Sequence, residues 1–190
     1  MALTSTAPKK ARMRVFRAKD APELSRKTMQ RSALGSVDEQ GFTEAISAGI
    51  GESAVIRLLF EDEASGVSLT YAWFRSHVIL PRHSHSADCL YYVVSGSLRL
   101  GTQQLESGDG FLVPGNSLYT YEVGEEGVEV LEFRTATTFD ISYKGTNASW
   151  AQLISNLKQW RPSWSSLEPP PVASKILSSA NAGHNQYLGE

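Results

Sequence analysis

Short apolar segments alternate with brief turns along the middle of the chain, between residues 53 and 135. Segments of this length that are bounded by glycine, proline, asparagine or serine are typical of β-strands. Many such strands at close spacing predict an antiparallel sandwich or barrel. The predicted fold class is therefore all-β, and strands are expected at residues 54–60, 67–80, 89–95, 97–100, 110–113, 118–123 and 128–133.

Two places in this pattern carry further information. In the 67–80 segment, side chains of one parity are apolar up to Trp73, but Arg75 and His77 then occupy the same parity. Because alternation is strict in a regular strand, this change predicts a bulge or bend near Arg75. Residues 124–127, with glycine at both ends, predict a turn between the last two strands.

The segments on either side of the strands have a different character. Residues 1–40 are polar, basic and weakly periodic, which predicts an N-terminal arm with room for a short helix. The barrel domain is expected at residues 41–145, and a C-terminal helix with an extended tail at residues 146–190. Ser149 begins a capping-box pattern and Pro162 ends the helix. The helix has one apolar stripe, formed by Trp150, Leu153, Ile154, Leu157 and Trp160.

Charge is distributed unevenly along the chain. Residues 1–35 hold nine of the eighteen lysines and arginines and two acidic residues, which gives +7, so the rest of the chain carries −9. A basic arm could contact nucleic acid. No aromatic interleaving or recognition motif accompanies it, so we favour a solvated arm that folds over a partner subunit and predict no nucleic-acid partner.

Length and composition limit the cellular context. The chain has 190 residues, enough for one domain with its own core. No apolar run approaches the roughly 20 residues that cross a bilayer, so no membrane partner is predicted. The basic N-terminus is not followed by a hydrophobic block, so no secretory signal is expected. A single cysteine excludes an internal disulfide and fits a reducing compartment, so a cytoplasmic location is predicted.

His83 and His85 are the strongest functional signal. They are separated by one residue and stand directly before an apolar strand that begins at Cys89. Two side chains at this spacing share one face of an extended segment. Neutral imidazole is a common metal ligand, so the pair predicts a metal ion held between the two rings.

This segment resembles the first motif of the cupin superfamily, the small jelly-roll barrels. That motif has two histidines one residue apart, a glutamate four residues later and a glycine seven residues beyond it. His83, His85 and Gly96 match these positions, but Cys89 stands where the glutamate belongs. The resemblance implies an antiparallel jelly roll that binds a metal inside the barrel.

The second cupin motif is also present in part. Gly108, Asp109 and Pro114 occupy their usual positions, whereas Tyr119 falls where the family has a histidine. Two of the four usual metal ligands are therefore replaced. Strand parity turns Tyr119 and Tyr121 inward, on the side of the histidines, and makes them the candidate catalytic residues.

Three arrangements of the site remain open. In the first, His83, His85 and the thiolate of Cys89 hold one divalent transition metal ion, namely iron, zinc, manganese or nickel. In the second, only the two histidines contact a loosely held ion, and in the third no metal binds and the pocket is dry or filled by substrate. Glu132 is a further carboxylate that could complete the ligand set. The predicted pocket wall is aromatic and consists of Tyr71, Trp73, Tyr91, Tyr119 and Tyr121.

An aromatic pocket with few polar groups suits a small, partly apolar or aromatic organic molecule. The leading hypothesis is a metal-dependent enzyme whose ion acts as a Lewis acid or activates water or dioxygen. The cupin resemblance implies dioxygenases, isomerases, decarboxylases and lyases without choosing among them. The alternative is a non-catalytic small-molecule binder or sensor with a degenerate metal site. A homodimer is implied, because cupin-like sandwiches often pair through an edge sheet and N-terminal arms.

Overall fold

A computed structural model describes residues 13–179 of the chain. Within this range nine strands and three α-helices are formed. The strands are β1 (Met29–Arg31), β2 (Ala54–Asp62), β3 (Val67–Phe74), β4 (His83–Ser84), β5 (Cys89–Leu100), β6 (Gln103–Glu106), β7 (Gly110–Val113), β8 (Glu122–Arg134) and β9 (Phe139–Tyr143). The helices are α1 (Ser36–Ser47), α2 (Asn147–Trp160) and α3 (Pro171–Leu177), with short 3₁₀ turns at Ala18–Asp20, Ile50–Glu52 and Arg161–Ser166.

The strands form two sheets with a shared core. The larger sheet has the antiparallel order β2-β3-β8-β5-β6, and β7 also pairs with β5. The smaller sheet has the order β1-β9-β4, in which β1 runs parallel to β9 and β4 runs antiparallel to it. The prediction of an all-β jelly-roll sandwich with a C-terminal helix is confirmed.

Strand alternation decides which side chains enter the core. Along β5, Cys89, Tyr91 and Val93 are buried, whereas Leu90 and Tyr92 are exposed. The same rule on β8 turns the even-numbered side chains from Val128 to Arg134 inward. The two longest strands therefore present their inward faces side by side, because β5 and β8 pair along most of their length.

Of the two further predictions made from the strand pattern, one is confirmed and one is wrong. The predicted bend near Arg75 is confirmed, since β3 ends at Phe74 and His77 has a φ of 60°. The predicted turn at residues 124–127 is wrong, because β8 runs through it as one long strand. Gly127 has a φ of 82°, and a side chain there would lie 2.7 Å from the carbonyl oxygen of Phe74. The glycine allows close strand contact rather than a chain reversal.

Helix α2 forms as expected but begins earlier than its predicted cap. Thr146, not Ser149, is the N-cap, and the Ser149 backbone N–H donates to the Thr146 hydroxyl. The apolar stripe is buried, and its Trp150 packs against Gly41 of α1 so closely that a side chain at Gly41 would clash with the ring. The Trp150 indole N–H donates to Asp38 Oδ1 at 3.0 Å, which joins the two helices.

The described part of the N-terminal arm lies on the barrel. Leu24 and Met29 are buried, and β1 adds to the smaller sheet beside β9. Glu23 forms an ion pair with the buried Arg57 of β2 at 3.4 Å. The arm predicted for residues 1–40 thus gives way to α1 at Ser36, and residues 1–12 lie outside the described residues. The predicted homodimer stays a prediction.

The C-terminal segment differs from the extended tail expected for it. Pro171 begins helix α3, consistent with the preference of proline for the first helical position. Ala173 and Ile176 of this helix are buried against Tyr71 and Trp73. These two aromatic side chains therefore face away from the barrel interior, and their predicted place in the pocket wall is wrong. Residues 180–190 lie outside the described residues.

The outward face of the larger sheet is partly apolar. Leu90 of β5 lies opposite Leu112 of β7 on one side and Phe133 of β8 on the other, and all three are exposed. Across residues 13–179, no helix combines the length and the apolar character that crossing a bilayer requires.

Candidate functional site

A cavity between the two sheets contains both histidines of the first motif. Its interior offers about 70 Å³ to the centres of water-sized molecules. Leu24 and Met29 of the N-terminal segment form part of its apolar wall. Its polar side chains are His83, His85, Tyr91, Tyr119, Glu132 and Arg134.

His83 is placed by its pairing with Tyr119. The two residues exchange both backbone hydrogen bonds, at 3.1 and 2.9 Å, so their side chains stand next to each other on one face. His83 Nδ1 lies 2.6 Å from the carbonyl oxygen of Pro81, which accepts only, so Nδ1 carries the proton. Nε2 must then accept from the Tyr119 hydroxyl at 2.9 Å. Burial lowers the pKa of His83 to about 4, so the ring is neutral at pH 7.

His85 has the same tautomer as His83, but its second ring nitrogen, Nε2, is free to accept a hydrogen bond. Its Nδ1 donates to the carbonyl oxygen of Asp140 at 2.6 Å, which leaves Nε2 with a lone pair. Burial first, then the positive charges of a protonated His83 and of Arg134, hold the pKa of His85 well below its usual value. His85 is therefore a neutral hydrogen-bond acceptor in the wall of the cavity.

Two tyrosines continue the hydrogen-bond chain from His83. The hydroxyls of Tyr91 and Tyr119 share a short hydrogen bond. Since Tyr119 donates to His83, its oxygen accepts from Tyr91 in this chain. Burial raises the pKa of both tyrosines, so both hydroxyls keep their protons. Phe111 stacks flat on Tyr91 at 4.5 Å between ring centroids and fixes the outer end of the chain.

Arg134 and Glu132 form the charged part of the cavity. Arg134 Nη2 donates to Glu132 Oε2 at 2.7 Å, and the arginine side chain is only 1% exposed. The guanidinium lies over the ring of Phe139 at 4.2 Å. Its Nε and Nη1 are buried and have no hydrogen-bond partner in the structure. A buried donor without a partner is costly, so these two groups indicate where an oxygen of a bound molecule would lie.

Cys89 and Tyr121 are buried close to this cavity but do not line it. Cys89 lies opposite Arg134 on the neighbouring strand, and burial raises the pKa of its thiol to about 12. Tyr121 packs edge-on against Phe74 and Phe111, and its buried hydroxyl has no partner. Of the five predicted site residues, the structure thus brings His83, His85 and Tyr119 together at the cavity.

Comparison with known proteins identifies the fold of this protein. No protein-family model and no curated protein matches the chain. Among solved structures, the polyketide cyclase RemF from Streptomyces resistomycificus is similar over 87% of this chain and 99% of its own, with 14% identity and a TM-score of 0.50. The protein has the cupin fold.

Two further matches each cover less than half of this chain. KdgF from Halomonas sp. matches 43% of this chain and 79% of its own at 18% identity, with a TM-score of 0.39. An RmlC-like cupin from Shewanella frigidimarina matches 45% of this chain and 78% of its own at 20% identity, also with a TM-score of 0.39.

The metal that the cupin resemblance implies would need a sufficient set of donor atoms at this site. Among the described residues, no three side chains of histidine, cysteine, aspartate or glutamate are grouped to hold one ion. One of the two imidazoles is engaged by Tyr119, and the positive charge of Arg134 disfavours a second positive charge on either histidine. Two imidazoles are fewer than the three protein ligands of a typical catalytic zinc site. The residues present do not fit a firmly held ion.

One feature suits a loosely held ion. Metal-binding histidines usually donate their second ring nitrogen to a carbonyl or carboxylate, and His83 and His85 both donate Nδ1 to a backbone carbonyl. The metal site of His83, His85 and Cys89 predicted from the sequence stays a prediction.

Arg134 is the cavity residue that sequence analysis missed. Strand parity places Glu132 on the inward face with Val128 and Val130, and it applies equally to Arg134, two residues further along. Arg134 directly follows the strand predicted at residues 128–133, so no inward side chain was predicted there, and arginine is rarely buried without a partner.

Proposed function

We propose that this cupin binds a small organic molecule through a carbonyl or carboxylate oxygen that is held by Arg134. The observation that carries the proposal is the pair of unpartnered donors, Nε and Nη1, on a guanidinium inside a cavity. Guanidinium groups recognise carboxylate and other anionic oxygens with strong, directed hydrogen bonds. An oxygen atom at this point would satisfy the donors that the protein leaves open.

Glu132 sets the charge of the cavity. Its ion pair with Arg134 makes the two residues neutral as a unit, and the neutral histidines add no charge. A carboxylate is attracted to the guanidinium but repelled by Glu132, whereas a carbonyl oxygen meets the same donors without that repulsion. The site therefore suits a ketone, an aldehyde or a monocarboxylate, and it disfavours a dianion.

The apolar wall and the small volume limit the rest of the ligand. Leu24, Met29 and Ile141 surround the polar groups. About 70 Å³ for atom centres suits a short aliphatic body rather than a large ring system. The proposed ligand is thus a short-chain carbonyl or carboxylate compound.

Arg134 could also take the electrophilic role that sequence analysis gave to a metal. A fixed positive charge beside a carbonyl oxygen stabilises negative charge that develops on that oxygen. The lone pair of His85 Nε2 is available to accept a proton from the carbon next to the carbonyl, whose C–H electrons would then form the enolate. Burial lowers the pKa of His85 most, and the positive charge of Arg134 lowers it further. A bound anionic oxygen would offset the charge of Arg134 and make His85 a better base.

This gives a second candidate, an acid–base enzyme that isomerises its carbonyl ligand. In a β,γ-unsaturated carbonyl ligand, the proton that His85 takes from the α-carbon returns to the γ-carbon as the double bond moves into conjugation, so no other reactant is consumed. The hydroxyls of Tyr91 and Tyr119 keep their protons and contribute hydrogen bonds. The metal-dependent enzyme remains the competing hypothesis, and its chemistry would need an ion that the described donor set holds only loosely.

Thermal unfolding in the presence of small probes tests the proposal. Propanoate and acetone should raise the Tm of the wild-type protein, and 1-propanol, which lacks the carbonyl oxygen, should not. The double variant Arg134→Met/Glu132→Gln removes both charges together, so no unpaired charge is left buried, and it should respond to none of the probes. An equal response of this variant and the wild type to propanoate would contradict the proposal. Native mass spectrometry of freshly purified protein would identify a retained ligand.

A further inference from the structure

A second cavity lies outside the barrel, on the opposite face of β2. Alternation turns Ile56 toward the inner cavity, and turns Val55 and Arg57 toward this groove. The 3₁₀ turn at Arg161–Ser166 and the end of α3 form its other side. It offers about 370 Å³ to the centres of water-sized molecules, which falls within the range of ligand-binding clefts.

Three arginines line the groove, together with a single carboxylate, Glu52. Arg57 is buried and its charge is partly neutralised by Glu23, at 3.4 Å. Arg75 is different, because its hydrogen bonds go to backbone carbonyl oxygens, from Nε to Glu52 at 2.7 Å and from Nη1 to Trp164 at 3.3 Å. Among the described residues, no carboxylate lies within ion-pair distance of Arg75.

Arg75 is held in place on a third side by an aromatic ring. Its guanidinium lies 4.7 Å from the centroid of the Trp73 ring. Two carbonyl oxygens and a ring restrict the side chain, and the Glu52 carboxylate attracts it without forming an ion pair. The guanidinium is thus a fixed positive charge at the edge of the groove. Because it is already held in place, little side-chain entropy is lost when an anion binds.

Arg161 is placed by the backbone of the turn before β2. Gly49 has a φ of 96°, and a side chain on it would lie 2.5 Å from Arg161 Cδ. The absence of that side chain lets the arginine lie across the turn and bind Glu52 with two hydrogen bonds, at 2.5 and 3.0 Å. Both partners are well exposed, so this ion pair contributes little stability and an incoming anion can compete for the guanidinium.

We propose that this groove binds an organic phosphate, with the phosphate on Arg75 and Arg161 and the apolar part of the molecule against Trp164 and Leu177. Arginine matches the geometry of phosphate oxygens and of carboxylates. Arg57, Arg75 and Arg161 outnumber Glu52 in the groove lining, which favours a doubly charged group over a monocarboxylate. This site is separate from the barrel cavity and does not depend on the function proposed for it.

Isothermal titration calorimetry at low ionic strength tests the proposal with three probes. Phenyl phosphate should bind once per chain and more tightly than inorganic phosphate, because only phenyl phosphate has an apolar part. Benzoate should bind more weakly than phenyl phosphate. Arg75→Gln and Arg161→Gln should each weaken phenyl phosphate binding by about 10-fold or more, the usual effect of losing a charge-assisted hydrogen bond.

Two further variants separate this site from general charge attraction. Arg99→Gln removes an exposed arginine that pairs with Glu122 and does not line the groove, so it should leave the affinity unchanged. Glu52→Gln removes the carboxylate that competes with the phosphate for Arg161. The Kd of phenyl phosphate should therefore fall severalfold. The proposal is overturned if Arg75→Gln and Arg99→Gln bind phenyl phosphate equally, or if Glu52→Gln binds it more weakly. Arg161 and Glu52 are exposed, so their variants carry the test even if Arg75→Gln does not fold.

Discussion

Arg134 and Glu132 form an ion pair of 2.7 Å on the inward face of β8, with both side chains largely withdrawn from water. Removing one partner of a buried pair leaves the other charge uncompensated, which costs more than replacing both. Each buried charge is therefore tolerated only while its partner is present. Arg134 also presents unpartnered donors to the cavity.

The first prediction concerns this pair. Arg134→Met should lower the free energy of unfolding by about 3–5 kcal/mol, since it strands a buried carboxylate. The double variant Arg134→Met/Glu132→Gln should recover most of that loss. Urea denaturation measures both. Arg99→Met, in the exposed pair with Glu122, is the control and should cost no more than about 1 kcal/mol. Equal stability of the single and double variants would show that the pair is not energetically coupled.

The second prediction concerns metal content. Two imidazoles near a guanidinium should hold a divalent transition metal weakly, so dialysis against a mild chelator should remove it. Elemental analysis before and after dialysis measures this, with His83→Ala and His85→Ala as comparisons. One equivalent of metal that survives dialysis in the wild type and is missing from both variants would establish the metal-dependent alternative.

The third prediction follows from the pKa of His83, which burial lowers to about 4. Between pH 6.5 and 4 the unfolded chain takes up a proton at this residue and the folded chain does not, so stability falls as the pH falls through this range. The loss attributable to His83 is about 3 kcal/mol. His83→Gln should flatten the dependence of unfolding free energy on pH. His85 acts in the same direction.

The control for this pH series is His77→Asn. His77 lies outside the cavity, stacks on Trp160, and has a φ of 60°, which asparagine tolerates. This variant removes an imidazole outside the cavity and shows how far the loss of a histidine elsewhere changes the slope. A wild-type slope in His83→Gln would mean that His83 does not resist protonation in the folded protein.

The fourth prediction concerns Cys89. Burial keeps its thiol protonated and out of solvent, so a thiol-specific disulfide reagent should not react with the folded protein at pH 8. It should react once per chain after unfolding in urea. Ala151→Cys, on the exposed face of α2, adds a thiol that should react at once in the folded state. Rapid reaction of the wild type would show that the Cys89 thiol is accessible and readily forms a thiolate. That result would support Cys89 as a metal ligand.

Sequence periodicity was sufficient for the fold because one face of each main strand is apolar. Tyr91 and Val93 on β5, and Val128 and Val130 on β8, follow the two-residue period that the structure shows. Periodicity failed for Tyr71 and Trp73, whose buried face meets α3 rather than the barrel interior. A strand covered on both faces has two apolar parities, and the sequence does not show which one faces the cavity.

The site was harder to predict for a related reason. The spacing of His83 and His85 placed both rings inside, but their hydrogen bonds depend on Pro81 and Asp140, which no local pattern connects to them. The role of Arg134 in the cavity depends on its ion pair with Glu132 and on its Nε and Nη1, which have no hydrogen-bond partner. Such satisfaction of donors and acceptors is a property of the folded structure.

The central claim is that Arg134 presents free donors to a ligand oxygen, and nitrogen NMR observes one of those donors directly. The Arg134 Nε–H resonance of ¹⁵N-labelled protein can be assigned by its loss in Arg134→Met/Glu132→Gln. Titration with propanoate should move this resonance progressively to a plateau, and 1-propanol should leave it unchanged. A resonance that stays in place at propanoate concentrations that raise the Tm would contradict the claim.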